Sequence, residues 1–483
     1  MNLFQIALKN MRQRGVASWL TMISVALGVS LMIAVLVLHG VLGKQFSQSG
    51  SGYSLIIGPA GSPTTLVLAV VYRIENSRLN MPWRYYQKWV KDPRVELAIP
   101  ICFGDTTQEG DFPVIGTSPQ YFKLPYARTP HPQPYKVQGN FLKGSWDAVI
   151  GSEVARRNGW TADEDLNGNG KLDQSEDTNR NGVLDPGSQF QLIHGGQTGA
   201  DAHVHEEKFT VRGILQATGT PNDRTVFTHI DGFFMLAGHE NPLREAIHRE
   251  AQYFNDQTEA QLLEQYAPEL EAERREAAAL KLNPKHAAHA VPDLSKEVSA
   301  ILIVAQGEDG DELVRSNNAL SIQNELSEEN AAQAVNPVMV MDVIMRKLVG
   351  NLQLAFLCLT GLIVAVSGIG IFVSIYNSMN ERRREIAVMR ALGAQRRTVS
   401  LMILCETLLL CLGGGLLGLL LGHGLMFVAA PILEARSGLL IDPWAYSPWE
   451  LVVLPISLVL ATLSGLIPSI TAYRTDVAET LAQ

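Results

Sequence analysis

The sequence contains no phosphate-binding loop of the form G-x-x-x-x-G-K-[ST], in which backbone N–H groups and a lysine hold a nucleotide. Residues Gly168–Lys171 come nearest, but they lack the earlier glycine and the Ser/Thr. No H-E-x-x-H motif is present, and no nucleophile and base stand out as a pair. These absences exclude a nucleotide hydrolase and a zinc protease of the usual kinds. We expect no catalytic residues, and any ATP should be bound only by a partner subunit.

Cysteine and excess positive charge are also scarce. Of the four cysteines (Cys102, Cys358, Cys405 and Cys411), only Cys102 lies outside long apolar runs. A disulfide framework within the hydrophilic part of one chain is therefore excluded. The formal net charge of −9 provides no basic surface for nucleic acid, so we expect no such partner.

Long apolar runs, in contrast, occur four times. Each can cross a bilayer, which takes about 20 residues, and we expect transmembrane helices at residues 16–43, 348–376, 401–428 and 451–470. A cleaved signal peptide is the alternative for the first run. Its apolar part would be only about 7–15 residues long and followed by a small-residue cleavage site, which the sequence lacks, so we expect a retained anchor in contact with membrane lipid.

The distribution of arginine predicts the orientation of these spans. Residues 377–400 contain six arginines, whereas residues 429–450 contain one, together with two tryptophans and a tyrosine. Basic residues mark the cytoplasmic side of a membrane, and Trp and Tyr gather at its interfaces. We expect both termini in the cytoplasm, with residues 1–15 an amphipathic helix and residues 471–483 a tail, and 429–450 a short outer loop.

Residues 44–347 form a hydrophilic region that this topology places outside the cytoplasm. Strand-like segments are expected at residues 53–57, 64–72, 148–150, 190–193, 209–215, 225–228 and 298–304, and helices at residues 83–90 and 313–326. The predicted fold class is a membrane protein with four transmembrane α-helices and a large extracytoplasmic α+β domain between spans 1 and 2. Two stretches appear inserted into that domain, residues 160–188 and the helical, histidine-bearing residues 240–292.

The cytoplasmic segment 377–400 predicts a short amphipathic helix. Gly393 can end this helix because glycine readily adopts a positive φ. Its sequence REIAVMRALGA closely resembles the loop between the second and third spans of MacB/FtsX-like ABC permeases, the family of macrolide exporters and lipoprotein releasers. The final GLIPSITAYRTDVAETLAQ resembles the C-terminal signature of that family. The stretches SLIIGPAGSPTTLVLAVVY, GSEVARRNGW and FTVRGILQATGTPNDRTVF resemble its extracytoplasmic domain more loosely.

The resemblance implies a permease subunit in the bacterial inner membrane, with a cytoplasmic ABC ATPase as partner and a second copy of the chain beside it. ATP hydrolysis by the partner would move the outer domain to export or release a substrate. A periplasmic adaptor, hydrolase or substrate-binding protein is a further partner consistent with relatives. The residues that match the coupling loop are Glu385, Arg390, Gly393 and Ala394. Two alternatives remain: an FtsX-like mechanotransmitter regulating a periplasmic hydrolase, or a membrane-anchored metal-binding protein without an ATPase.

The third span carries two unusual features. Gly414, Gly418 and Gly422 recur at four-residue spacing, which permits close contact between helices. Glu406 and His423 are ionisable residues within the span, and such residues are functional candidates by default. For the glycines, packing within the bundle is the simpler interpretation and a pore lining is the alternative. Glu406 could instead lie near the cytoplasmic interface, and His423 could be a packed polar residue.

The sharpest local motif is the calcium-loop-like sequence DLNGNGKLDQSE, which is followed by a second copy ending in Ser188 rather than Glu. Carboxylate, amide and carbonyl oxygens at this spacing suit Ca²⁺, with the glycine at the turn. The alternative is a polar hairpin without metal. The expected Ca²⁺ ligands in the 165–188 loops are Asp165, Asn167, Asn169, Lys171, Asp173, Glu176, Asp177, Asn179, Asn181, Val183 and Asp185.

Histidine is frequent in the hydrophilic region. His203 and His205 would share one face of a strand, and His286 and His289 one face of a helix. Imidazole suits zinc and copper, so these four residues are a candidate zinc site. Scattered surface histidines are the simpler interpretation.

Overall fold

The computed structural model describes the chain except for residues 1–2, 14, 48–51, 75–78, 127–131, 166–170, 172–183, 195–202, 237–238, 240, 255, 281–290, 308–310, 345, 348–349, 382, 438–447 and 475–483. The chain divides into two compact units, here called the membrane unit (Met1–Lys44 with Ile344–Gln483) and the sheet domain (Gln45–Val343). The sheet domain is therefore inserted in sequence between the first long helix and the remaining ones.

Both units contain helices. In chain order they are α1 (Leu3–Gln13), α2 (Gly15–Ser47), α3 (Pro63–Val67), α4 (Trp83–Val90), α5 (Ser152–Asn158), α6 (Ile230–Phe234), α7 (Leu243–Tyr253), α8 (Glu259–Gln265), α9 (Ala267–Leu280), α10 (Glu312–Glu328), α11 (Pro337–Ile344), α12 (Gly350–Glu381), α13 (Arg383–Ala391), α14 (Arg396–Ser437) and α15 (Val453–Arg474).

Among the described residues, four helical segments are long and apolar enough to cross a membrane: Ser18–Leu38, Gly350–Asn377, Arg396–Leu433 and Glu450–Ile470. The first three lie in α2, α12 and α14, and the fourth begins in the 3₁₀ turn Pro448–Val452 and continues through most of α15. The four predicted spans are thus confirmed by length and composition. Their surfaces remain largely apolar, as with Leu362 and Val366 of α12, because lipid rather than water is the solvent expected around them.

The sheet domain contains the strands. They are β1 (Leu55–Pro59), β2 (Met81–Pro82), β3 (Val95–Thr107), β4 (Pro113–Thr117), β5 (Val137–Gly139), β6 (Asp147–Ile150), β7 (Gln189–Phe190), β8 (Leu192–His194), β9 (His203–Val204), β10 (Phe209–Leu215), β11 (Val226–His229), β12 (Glu297–Val298), β13 (Ala300–Ala305) and β14 (Ala332–Val335).

Most of these strands join one mixed sheet in the order β14-β1-β13-β3-β4-β11-β6-β10-β5. The β4–β11 and β6–β10 pairs are parallel, whereas β3 pairs antiparallel with β4 and β13. β8 adds to the far end of β3, and β9 adds to β8. Helices α4, α6 and α10 place Trp89, Phe233 and Ile322 in the core of this sheet. The predicted extracytoplasmic α+β fold is confirmed.

One expected strand is wrong. Residues 64–72 form α3 and a following π-helical turn, Leu68–Tyr72, rather than a strand. Ser62 caps this helix by accepting a hydrogen bond from the N–H of Thr65, and Pro63 occupies the first turn. A short apolar run rich in β-branched residues fits a buried helix as well as a strand, so these start signals decide the structure.

Candidate functional site

The arginine-rich segment 377–400 contains a short helix, α13, with a sharply defined end. Gly393 has a φ of +102°. The N–H groups of Gly393 and Ala394 donate to the carbonyls of Arg390 and Met389, both at 3.0 Å. These two bonds form a Schellman motif, which ends a helix at a backbone position that favours glycine. The predicted turn at Gly393 is confirmed.

One face of this segment is anchored in the membrane unit. Ile386 and Val399 are buried, and they belong to the same apolar cluster as Met379 of α12. Leu392, in contrast, is 84% exposed, and Val388 is 43% exposed. The segment therefore combines a fixed attachment to the bundle with an outward apolar face.

Exposed arginines come before and after that face in the sequence. The side chains of Arg384, Arg396 and Arg397 are exposed, and Arg390 and Ala394 are partly buried. The side chain of Glu385 lies outside the described part of the structure. An exposed leucine in a segment with exposed arginines suits a protein surface that offers an apolar pocket edged by carboxylates.

The glycines of α14 allow close contact with α2. A Cβ atom added at Gly418 would lie 2.6 Å from the Cβ of Val29, and Gly414 and Gly422 approach α2 at 2.7 Å. No side chain fits at such distances, so these positions require glycine for the two helices to pack. The predicted packing role of the glycines is confirmed.

Polar residues link the helices inside the membrane unit. The Oγ atoms of Ser24 and Ser367 are 3.1 Å apart, which joins α2 to α12. His423 Nε2 lies 3.2 Å from a carboxylate oxygen of the buried Glu450. Glu406 is also buried, at 5% exposure. Paired polar groups of this kind hold helices together in a lipid environment.

A second concentration of functional side chains lies in the sheet domain and begins with a β-bulge in β3. Phe103 pairs with Ile115 of β4, and the next pair is Thr106 with Pro113, so β3 has one extra residue between the pairs. A bulge bends a strand and redirects its side chains. It places the carboxylate of Asp105 at the junction of β3 with β8.

Three histidines from two further segments surround this carboxylate. His194 lies directly opposite Asp105 across the β3–β8 ladder. His205 follows β9, and its N–H donates to the carbonyl of Leu192 at 3.0 Å. His239 comes from the turn that follows α6, well separated in sequence from the other two. We call Asp105, His194, His205 and His239 the His₃Asp cluster.

The side chains of the cluster converge. Asp105 Oδ1 is 2.8 Å from His194 Nδ1, and Asp105 Oδ2 is 2.9 Å from His239 Nε2 and 3.4 Å from His205 Nε2. One nitrogen or oxygen from each residue lies within 4.8 Å of all the others. The side chains of Asp105 and His205 are each 1% exposed, whereas that of His194 is 58% exposed.

Electrostatics keep the carboxylate charged. Burial alone would raise the pKa of Asp105, but the three imidazoles lower that pKa well below its ordinary range. The interaction with Asp105 in turn raises the pKa of His194, against the opposite effect of partial burial. The cluster thus centres on a carboxylate lined by imidazole nitrogens.

A cavity of about 260 Å³ opens beside the cluster. Asp105, His194 and His239 form part of its wall, and Asn241 and Glu297 are among the other polar lining residues. The cavity is large enough for a metal ion or a small solute, which could therefore reach the cluster through it.

Comparison with known protein families agrees with this architecture. Residues 357–477 match the model described as FtsX-like permease C-terminal. Residues 18–265, just over half of the chain, match the model described as MacB-like periplasmic core domain. The chain belongs to the MacB/FtsX-like family of ABC permeases. The predicted family is confirmed.

Similar curated proteins carry permease names. A macrolide export ATP-binding/permease protein MacB of Rhodopirellula baltica is 26% identical over 188 residues, which are 38% of this chain and 26% of that protein. An uncharacterized ABC transporter permease, MJ1507, of Methanocaldococcus jannaschii is 31% identical over 118 residues, 24% of this chain and 29% of the relative. The permease YknZ of Bacillus subtilis is 27% identical, covering 38% and 42%. The match thus spans at most 42% of these three relatives.

Among solved structures, the periplasmic region of MacB from Actinobacillus actinomycetemcomitans aligns with a TM-score of 0.30 and 9% identity. The alignment covers 62% of this chain and 95% of that one.

In this MacB-like permease the predicted calcium loops fall mostly outside the described residues. Asp165, Lys171 and Asp185 are described, whereas Asn167, Asn169, Asp173, Glu176, Asp177, Asn179, Asn181 and Val183 are not. The base of the insert is held by a backbone bond from Glu164 N–H to the Asp185 carbonyl at 2.9 Å. The two ends of the predicted calcium-binding stretch are therefore adjacent.

The structure describes two of the four histidines of the predicted zinc site. His205 joins the His₃Asp cluster, and His203 is exposed beside it, with ring centroids 5.6 Å apart. His286 and His289 lie outside the described residues. The sequence alone does not group Asp105, His194 and His239 with His205, because only strand register and the turn after α6 bring them together.

Proposed function

We propose that this chain is the membrane-spanning subunit of an ABC transporter and that a separate cytoplasmic ATPase binds its 377–400 segment. One observation carries the proposal: the exposed Leu392 directly follows α13 in a segment that also exposes Arg384, Arg396 and Arg397, while Ile386 of α13 is buried in the bundle. A helix of this kind can bind a soluble partner and pass on the partner's movement. The family membership of the chain supports the same reading.

The proposed route of transmission follows the packing of the membrane unit. Ile386 and Val399 connect the segment to the apolar cluster that contains residues of α2, α12 and α14. The glycine stripe of α14 then packs directly against α2. Because α2 and the helices after residue 344 flank the sheet domain in sequence, a shift of these helices would be conveyed to that domain.

The proposal includes two copies of the chain, one for each subunit of an ATPase dimer, and cytoplasmic termini. The six arginines of residues 377–400 support this orientation by the positive-inside rule. The sheet domain would then act outside the cytoplasm in the export or release of a substrate. We also propose that the 165–188 loops bind Ca²⁺ there, in a structural role.

Co-purification tests this function. The full chain, solubilised in detergent, should bring down an ATPase whose activity is measured in the eluate. Leu392→Asp and Arg390→Glu should both reduce the recovered ATPase at least about tenfold, since an interface centre is sensitive to single changes. Leu392→Asp is the variant less expected to disturb folding, because the side chain of Leu392 contributes almost nothing to the core.

Arg436→Glu is the matched control, because it reverses one charge in the connection between the third and fourth spans rather than in residues 377–400. It should leave the recovery of the ATPase unchanged. A stable wild-type chain that brings down no ATPase, or equal recovery with all variants, would sink the proposal.

A further inference from the structure

We infer that the His₃Asp cluster is a structural zinc site of the sheet domain. Its ligands would be Asp105 and one ring nitrogen each of His194, His205 and His239. This inference is independent of the proposed function, since the site would bind metal with or without an ATPase attached.

Convergence of unsatisfied atoms is the first argument. Among the described residues, Asp105 Oδ2 and both ring nitrogens of His205 and His239 are buried and have no hydrogen bond of suitable geometry. Asp105 Oδ2 nevertheless lies 3.4 Å from His205 Nε2 and 2.9 Å from His239 Nε2. These atoms therefore point towards a common centre rather than along hydrogen-bond directions. Buried polar atoms without partners are rare, and a metal ion would satisfy Asp105 Oδ2 and one ring nitrogen of each of these histidines at once.

Protonation of the histidines cannot satisfy these buried atoms in place of a metal ion. Satisfying Asp105 by protonating the histidines would place positive charges on neighbouring rings, and the ring centroids of His205 and His239 are only 4.9 Å apart. Two buried like charges at that distance repel strongly. A divalent cation instead binds neutral imidazoles and one carboxylate, which leaves a net charge of about +1 at the site.

The donor set selects the metal. Three imidazole nitrogens and one carboxylate oxygen suit zinc, which takes four ligands in a tetrahedron. Its ligand atoms would lie about 3.3 Å apart for bonds of about 2.0–2.1 Å. The spacing of up to 4.8 Å in the cluster thus requires only small side-chain shifts, and the exposed His194 can move without disturbing the core. The thiol of Cys102 in the same cavity is engaged with the Glu297 carbonyl at 3.3 Å.

Four protein ligands complete a tetrahedron, so the site would be structural rather than catalytic. It would link β3, the β8–β9 pair and the turn after α6, which are distant in sequence. Phe233 packs on His239 with ring centroids 4.4 Å apart and shields that side of the cluster. Zinc would therefore fasten the outer strands of the sheet to its core.

Zinc content of the purified full-length chain tests the inference. The protein should carry an affinity tag without histidine, be stripped with a chelator, and be returned to Zn²⁺ in excess Ca²⁺ and Mg²⁺, which occupy oxygen-only sites. We expect one zinc per chain by elemental analysis. Co²⁺ in its place should give the visible absorption of tetrahedral coordination.

The matched pair of variants is His194→Gln and His203→Gln. Both histidines are exposed and lie directly opposite each other on β8 and β9, but only His194 belongs to the cluster. Loss of a direct ligand should weaken zinc binding by more than about 100-fold. Even the loss of a residue that only hydrogen-bonds to a ligand costs about 10–100-fold in metal affinity. His203→Gln and the double variant His286→Gln/His289→Gln should keep zinc. Zinc retained by His194→Gln, lost from the controls, or absent from the wild-type chain would overturn the inference.

Discussion

Asp105 and His194 face each other across two antiparallel strands, with Oδ1 of the carboxylate 2.8 Å from Nδ1 of the imidazole. This pair raises the pKa of His194 and helps to lower that of Asp105, with burial opposing both shifts. In the metal-free chain the contribution of His194 to stability is therefore complete below about pH 6.5, the ordinary imidazole pKa. It is lost as the pH rises through the raised pKa in the folded state.

Zinc should reverse this pH dependence. It binds neutral imidazoles, so protons compete with it below about pH 6.5. We predict that the rise in melting temperature on adding Zn²⁺ is small near pH 5.5 and large near pH 8. The groups that face the site are Asp105, the three cluster histidines, His203 and, across the cavity, Glu297. Asp105→Asn should abolish the zinc effect at both pH values; a zinc effect independent of pH would contradict this prediction.

The glycine stripe gives a stability prediction. Gly418→Val should destabilise the membrane unit by about 1–3 kcal/mol, because the added side chain collides with Val29 and overpacks the α2–α14 contact. Gly424→Val is the control on the same helix, since nothing lies within 4 Å of a Cβ added there. Thermal unfolding in detergent should separate the two variants. Equal melting temperatures would show that α2 and α14 do not pack through this stripe.

The end of α13 gives a prediction about backbone conformation. Gly393→Ala should weaken the Schellman turn by about 1–3 kcal/mol, because alanine is strained at a φ of +102°. Gly370→Ala adds a methyl group where there is equally open space, but within regular helix, and should be neutral or slightly stabilising. Hydrogen exchange of residues 383–396 and recovery of the ATPase should both change in Gly393→Ala alone. Identical behaviour of the two variants would contradict the proposed turn.

The calcium prediction concerns residues 165–188. Ca²⁺ should protect this stretch of the full chain from limited proteolysis, with half the effect at roughly 10⁻⁴–10⁻³ M, as in other extracellular sites. Mg²⁺ should protect much less because it is smaller and keeps its waters. Asp165→Ala with Asp177→Ala should remove the protection. Cleavage at the same rate in Ca²⁺ and in chelator would contradict the prediction and favour the alternative, a polar hairpin that binds no metal.

Much of the fold could be predicted from sequence because its signals are local. Residues 83–90 and 209–215 were expected as a helix and a strand, and they form α4 and β10 with the same bounds. The turn at Gly393 was predictable for the same reason, since a single glycine at the end of an amphipathic pattern determines it. The strand predicted at residues 64–72 was wrong because their apolar run has no distinct period. The N-cap at Ser62 favours a helix there instead.

The His₃Asp cluster could not be predicted in the same way. It depends on the long strand β3, whose Pro100 and Gly104 argue against a central strand when read locally. Pro100 is tolerated within the antiparallel ladder with β13, and Gly104 lies at the bulge that redirects Asp105. Pairing between residues about 90 positions apart then brings His194 to Asp105. Such register is set by the whole sheet rather than by any single motif.

The central proposal is that ATP hydrolysis by the partner ATPase moves the sheet domain. Hydrogen exchange tests this proposal most directly. The complex of the full chain with its co-purified ATPase would be placed in a lipid nanodisc and compared without nucleotide and with ATP and vanadate. The account predicts altered exchange in segments of the sheet domain as well as in residues 377–400. Changes confined to the ATPase and residues 377–400, with the sheet domain unaffected, would contradict it.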